Sequence, residues 1–331
     1  MTPYENMLRV LDHNSPAWVP HGPEAIVDID SPVTERPAID GNDAFGVHWS
    51  FEDGAEGGTY PTLGGHTILD IRAWREQVTI PEISEIDWSG VATEAAAVDR
   101  DRHLVRGFVE MGLFERSYLL LGMSEALMAY LTNTREMFNL LGAVADYKIA
   151  LITRLHEVAN LDIVWYGDDW GTQNNLFIPP EIWRVTVKPH TQRIYDCMKA
   201  RGIRIWQHSC GRIESVFADM VEMGAEIWCP CQPCNDLAAL KRAHRGKITF
   251  SGGIDSQFVL ARPGVTAHEV RAEVRRRINE MAAAGGYIAA PSHAVPYDQN
   301  LLAAMSDEIG TYGRHYYNGT DGEAGGRRFE T

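Results

Sequence analysis

From residue 162 onward the chain alternates short apolar runs with amphipathic stretches, and glycines follow most of the latter: Gly202, Gly224, Gly246 and Gly285. A glycine there ends a helix in the left-handed conformation, and an apolar run directly after it reads as a strand. The runs begin at Asp162, Ile203, Ala225, Ile248 and Tyr287, with helical patterns at 180–200, 213–223, 236–244, 267–284 and from Gln299. Such alternation specifies parallel strands joined by crossover helices. No Gly-x-Gly-x-x-Gly turn marks a dinucleotide domain. The expected fold class is therefore α/β, a (β/α)8 TIM barrel forming a single domain over residues 1–317.

The first half is less regular. Residues 1–16 read as an amphipathic helix, and Trp18-Val-Pro-His21 reads as the first strand. Residues 24–65, rich in Gly, Pro, Asp and Thr, are too long for a simple connection and read as an irregular insertion or lid. Its aromatics, Phe45, Trp49, Phe51 and Tyr60, either cover a pocket or anchor the segment to the core. Helical patterns follow at 68–78, after a linker at 81–97, at 124–131 and at 135–158, the last with Thr134 as its expected cap; a strand starts at Leu104. The Gly-rich tail 318–331 is expected to be mobile.

A net charge of −15 with no block of Lys or Arg excludes nucleic acid and anionic membrane as expected partners, since both require a basic footprint. The start of the chain lacks a basic, then apolar leader, and no segment approaches ~18 consecutive apolar residues, so a cytoplasmic protein is expected. Three of the five cysteines fall in Cys229-Pro-Cys231-Gln-Pro-Cys234, which suggests reduced thiols or metal ligands rather than disulfides.

The chemistry gathers at strand ends. His208 and Cys210, two residues apart at the end of an extended run, point the same way and can face one ion. Alone, the pair reads equally as a core histidine and a small buried thiol. A barrel, however, brings Asp168, Asp169, His208, Cys210, the cysteine cluster, Asp255, Ser292 and His293 to one face, and imidazole, thiolate and carboxylate together suit Zn2+. Within the cluster the inert reading is favoured, with Cys231 as the outside candidate for a ligand. Pro179 starts the helix after Asp168 and Asp169 about ten residues downstream, which argues against these two as helix caps. Asp255 fits either a capped turn or a site.

The blocks Asp168-Asp-Trp-Gly-Thr-Gln173, His208-Ser-Cys-Gly211, Gly252-Gly-Ile-Asp255 and Gly285-Gly-Tyr-Ile with Pro291-Ser-His293 resemble those of the uroporphyrinogen decarboxylase-like superfamily, in order and spacing over most of residues 100–312. The metal-free decarboxylases of that superfamily meet a polycarboxylate with an Arg-rich segment after the first strand, whereas here 19–30 carries no Arg or Lys. His208 and Cys210 match instead the His-x-Cys pair of its corrinoid-dependent zinc methyltransferases, with His293 standing where that branch has a later Cys. The resemblance thus implies His208, Cys210 and His293 as ligands of zinc. One thiolate beside two imidazoles leaves the ion about one positive charge and makes it a Lewis acid suited to polarising an ether oxygen. The implied activity is O-demethylation: a methyl group passes from a small methoxylated, aromatic donor to the Co(I) corrinoid (cobalamin) of a partner protein. Asp168 or Asp169 would orient the donor or handle the phenolic proton. Trp170, Trp206 and Asp255 are the expected substrate-binding residues, with Trp228 in the same apolar slot. The alternatives are a metal-free decarboxylase, or methyl transfer from a methylated corrinoid to a thiol or pterin.

Overall fold

A computed structural model of the protein describes residues 1–52, 58–293 and 298–319. These form two compact units, one from Ile26–Cys229 and the other from the described residues of Met1–Ala25 and Pro230–Thr331. In chain order the elements are α1 (Pro3–Leu11), β1 (Ile26–Asp30), β2 (Gly41–Asn42), β3 (His48–Ser50), β4 (Tyr60–Pro61), α2 (Trp74–Gln77), α3 (Ser89–Ala96), β5 (Leu104–Val109), α4 (Leu113–Leu121), α5 (Met123–Thr132), α6 (Thr134–Ala159), β6 (Ile163–Gly167), α7 (Pro180–Lys199), β7 (Arg204–His208), α8 (Glu214–Met223), β8 (Ile227–Cys229), α9 (Leu237–Ala243), β9 (Thr249–Ile254), α10 (Ala267–Met281), β10 (Tyr287–Pro291) and α11 (Gln299–Glu308). Among the described residues, no helix is long and apolar enough to cross a membrane. The tail expected to be mobile lies, beyond residue 319, outside the described residues.

In the unit Ile26–Cys229, strands β1, β5, β6, β7 and β8 pair in parallel in that order. The first strand is Ile26–Asp30, inside the stretch read as insertion. Its aspartates alternate with apolar residues, and Asp28 meets the buried Arg106 of β5 at 2.6 and 2.9 Å, so an acidic run becomes a paired strand. Helix α4 is also unannounced by the sequence: Gly112 precedes it with no local side-chain cap. Over 68–78 only a 3-10 turn and the short α2 form. Thr134 begins α6 without capping it, because its hydroxyl donates to the Tyr130 carbonyl at 2.9 Å.

After β1 the insertion builds a small antiparallel sheet, β2-β3-β4. Its aromatics Phe45 and Trp49 are buried, Phe45 lying edge-on to Tyr147 at 5.0 Å and under the Arg116 guanidinium at 4.2 Å, so they anchor the segment. A buried ion cluster completes the attachment. Glu35 accepts from Arg116 (2.7 Å), Lys148 (2.8 Å) and the Tyr147 hydroxyl (2.6 Å), while Arg116 also donates to Asp43 at 2.5 Å.

In the other unit β9 and β10 pair in parallel, with α10 beside them and α11 packed on α10. The strand expected at Trp18-Val-Pro-His21 is reduced to one parallel bridge, His21 to Ala289. Capping boxes at Thr2 and Thr266 start α1 and α10.

Candidate metal centre

Two loops of the unit Ile26–Cys229 build the site, one leaving β6 at Asp168 and one leaving β7 at Ser209. Their backbones are stitched together: Asp168 N–H donates to the His208 carbonyl (3.0 Å), Gly171 N–H to the Cys210 carbonyl (3.2 Å) and Arg212 N–H to the Thr172 carbonyl (2.8 Å). Gly211 sits at φ +80°, and a Cβ there would lie 2.1 Å from the Gly171 carbonyl carbon, so only glycine permits the approach. The Asp169 carboxylate accepts the Cys210 N–H at 2.7 Å, which fixes the acid over the end of β7.

The result is a cluster of three donors. A carboxylate oxygen of Asp169, a ring nitrogen of His208 and the Cys210 sulfur all lie within 4.8 Å of one another, each on a half-buried residue. His208 Nε2 is 3.4 Å from Cys210 Sγ and 3.4 Å from Asp169 Oδ1. The other ring nitrogen, Nδ1, lies 3.2 Å from Cys229 Sγ. Imidazole, thiol and carboxylate converging from a backbone-locked frame fit a zinc ion with an open fourth position.

The electrostatics follow from burial. Burial opposes charge on the His208 ring, but the Cys229 sulfur, the hydrogen bonds to Cys210 and Cys229 and the Asp169 carboxylate outweigh it and hold the pKa well above the ordinary value. Burial pushes the Cys210 thiol up to about 11. Glu115, on the first turn of α4, is raised well above its ordinary range by burial and by the charges of Asp169 and Asp168. Its side chain is hydrogen-bonded to Tyr118.

Asp168 has a different place from the one expected. It is fully buried and accepts the N–H groups of Phe114 (3.2 Å) and Glu115 (3.0 Å) and the Trp170 indole N–H (2.8 Å). It is a helix cap after all, of α4 rather than of the helix that follows it, and burial raises its pKa to about 6 despite those donors. A Cβ on Gly112 would fall 2.3 Å from Asp168 Cβ, which explains the bare glycine at the start of α4.

The tryptophans expected in the donor slot are buried. Trp170 packs edge-on to Trp183 at 4.9 Å, and Trp206 lies under the Arg106 guanidinium at 4.6 Å. The half-exposed ring beside the cluster is Trp165, which contacts His208 at 4.6 Å and stacks on Phe108 at 4.2 Å and 14°. Phe108 in turn lines a cavity of about 370 Å3 with Asp30, Glu35, Arg36 and Glu110. Asp255, in the other unit, is buried and caps the turn that follows by accepting from Gln257 (3.0 Å) and Phe258 (2.8 Å). Cys231 is buried in that unit, and His293 is exposed there, its N–H bonded to Ser256 Oγ at 2.9 Å. Sequence reasoning missed Glu115, Trp165 and the contact of Cys229 with His208. The register of β7 on β8, which places His208 opposite Cys229, is the signal for the last.

Parallel strands with crossover helices define an α/β protein of the TIM-barrel class, and the likeness to a solved methyltransferase from Methanosarcina mazei bears this out: TM-score 0.70 at 15% identity, covering 94% of this chain and 99% of that one. The chain belongs to the uroporphyrinogen decarboxylase (URO-D) family, whose model matches residues 43–307. A glycosylated endo-beta-1,4-xylanase from Gloeophyllum trabeum is similar more loosely, with TM-score 0.43 at 12% identity over 69% of this chain and 82% of that one. No curated protein matches the chain.

Proposed function

We propose that the protein is a zinc-dependent methyltransferase that moves a methyl group from a small methoxylated aromatic donor to the Co(I) corrinoid of a partner protein. The observation that carries this reading is the convergence of Asp169, His208 and Cys210 donors within 4.8 Å. The M. mazei protein of similar fold, itself a methyltransferase, supports the same class. The cavity does not favour a porphyrinogen polycarboxylate, because Arg36 is the one cation among its lining residues.

In this reading His208, Cys210 and Asp169 hold the zinc. His293, which the sequence also offers, is tested beside them. Bound zinc supplies Lewis acidity toward the ether oxygen of the donor. One thiolate and one carboxylate leave the centre formally neutral, one charge below the set expected from the sequence, and equal to the Cys2His catalytic zinc sites that polarise oxygen. Trp165 and Phe108 offer a stacked, half-exposed surface on which an aromatic donor can lie between the cavity and His208. Asp168, its oxygens committed to three N–H donors, positions α4 and the loop above it. Glu115, whose carboxyl burial and the nearby Asp169 and Asp168 push well above its ordinary range, would be the group to carry a proton for the departing phenolate.

The test is elemental analysis of purified protein beside Asp169→Ala, His208→Ala, Cys210→Ala and His293→Ala, followed by methyl transfer from methoxyarenes to cob(I)alamin. About one zinc per chain, lost in the first three variants with circular dichroism unchanged, is expected. A wild type that takes up no zinc yet decarboxylates a porphyrinogen sinks the proposal.

A further inference from the structure

We propose that Cys229 is a positioning residue of the metal centre: its sulfur accepts the Nδ1–H of His208 and so leaves Nε2 as the nitrogen presented to the ion. The inference rests on the zinc reading above. It starts from register: β7 and β8 are parallel, His208 stands opposite Cys229, and paired residues of neighbouring strands project from the same face. The Ser209 N–H donates to the Cys229 carbonyl at 3.0 Å and holds that pairing where β7 ends.

The two sulfurs around His208 then take different nitrogens. Cys210 Sγ is 3.4 Å from Nε2, on the side of Asp169, and Cys229 Sγ is 3.2 Å from Nδ1. A neutral imidazole carries one N–H, and a ring bound to metal through one nitrogen donates from the other. Asp169 and Cys210 therefore mark the metal side and Cys229 the opposite side, so Cys229 is not a further ligand of the same ion. Cys229 is buried, which keeps water from competing for Nδ1, and the Trp165 ring restrains the imidazole from its face. Carboxylates and backbone carbonyls usually fill this orienting role; here a sulfur does, with a bond long enough for its radius. The Cys-Pro-Cys-Gln-Pro-Cys run is thus not one functional unit, because its first cysteine belongs to the metal centre.

The experiment compares zinc affinity, by chelator competition, in the wild type, Cys229→Ala and Cys229→Ser, and records the sulfur-to-cobalt absorption of each after Co2+ substitution. Cys229→Ala is expected to bind zinc about 10–100-fold more weakly, with Cys229→Ser recovering most of the loss because it restores an acceptor. Absorption per bound cobalt stays unchanged in both and disappears in Cys210→Ala. Should Cys229→Ala unfold, Cys229→Val, which fills the space without an acceptor, carries the comparison. An affinity in Cys229→Ala within about twofold of the wild type overturns the inference, as does a halved absorption, which would make Cys229 a ligand. A wild type that takes up neither ion fails at the earlier step, and the zinc reading falls with it.

Discussion

Glu35→Gln removes the carboxylate that Arg116 and Lys148 share. Arg116 keeps Asp43, but Lys148, fully buried, keeps only neutral acceptors, chiefly the Glu110 carbonyl at 2.7 Å. Breaking a buried ion pair from one side costs about 3–5 kcal/mol, because the remaining charge stays desolvated. At roughly 2–4 °C per kcal/mol, the midpoint of thermal unfolding should fall by about 6–20 °C. The pH dependence adds a signature. Burial already holds the Lys148 amine below its ordinary pKa, and Glu35 is the largest influence opposing that shift. Without Glu35 the folded amine releases its proton at still lower pH, so between that point and the unfolded value of ~10.4 the unfolded state binds more protons. Stability of Glu35→Gln relative to the wild type should therefore rise as pH is raised toward that unfolded value. Adding Lys148→Met should recover part of the loss, since no unpaired charge remains. Circular dichroism melts across this range read all three effects. A loss below about 1 kcal/mol, or a double variant no more stable than the single one, would refute the argument. Because Glu35 lines the cavity, the donor KM should increase in Glu35→Gln while zinc content holds.

Asp168 gives a second pH test. Its carboxyl rises from 3.8 to about 6 on folding, so stability gained by protonating the folded state is present at low pH and is lost as pH rises through about 6. Asp168→Asn should flatten that slope in urea titrations, and a slope identical to the wild type would count against it. Gly211→Ala forces a Cβ to 2.1 Å from the Gly171 carbonyl carbon at a positive φ; it should lower stability by ~2 kcal/mol or more and weaken zinc binding, read by unfolding and by metal analysis. Trp165→Ala should raise the KM for a methoxyarene by about tenfold with little change in zinc content, the loss of roughly one aromatic stacking contact, while Trp165→Phe retains most of the affinity.

The regular second half of the molecule was legible in the sequence because helices α7 to α10 are each followed by a glycine that ends them and each carries its own amphipathic pattern. His208 and Cys210 were legible for the same reason, being two residues apart on one strand end. What stayed hidden depends on partners far along the chain. Ile26–Asp30 reads as an acidic loop until Arg106 supplies the counter-charge. Helix α4 has no local N-cap because Asp168, more than fifty residues away, performs that function. That same distance hides the capping role of Asp168, since only the following helix is visible to a local reading. Glu35, Arg116 and Lys148 sit in three separate segments, each an ordinary surface charge by composition. Cys229 was grouped with its sequence neighbours, although strand register assigns it to His208.

The stitched loops of Asp168–Thr172 and Ser209–Arg212 have a consequence for redesign. The approach of the two loops is set by main-chain hydrogen bonds and by one glycine contact, so the frame survives a change in the donors it carries. On the zinc reading proposed above, exchanging Cys210 for His should alter which ion is preferred while the place it occupies stays put, because Asp169 keeps its bond to the residue 210 N–H. On that reading the site is a socket whose frame is encoded in the backbone and whose selectivity is encoded in the side chains it carries.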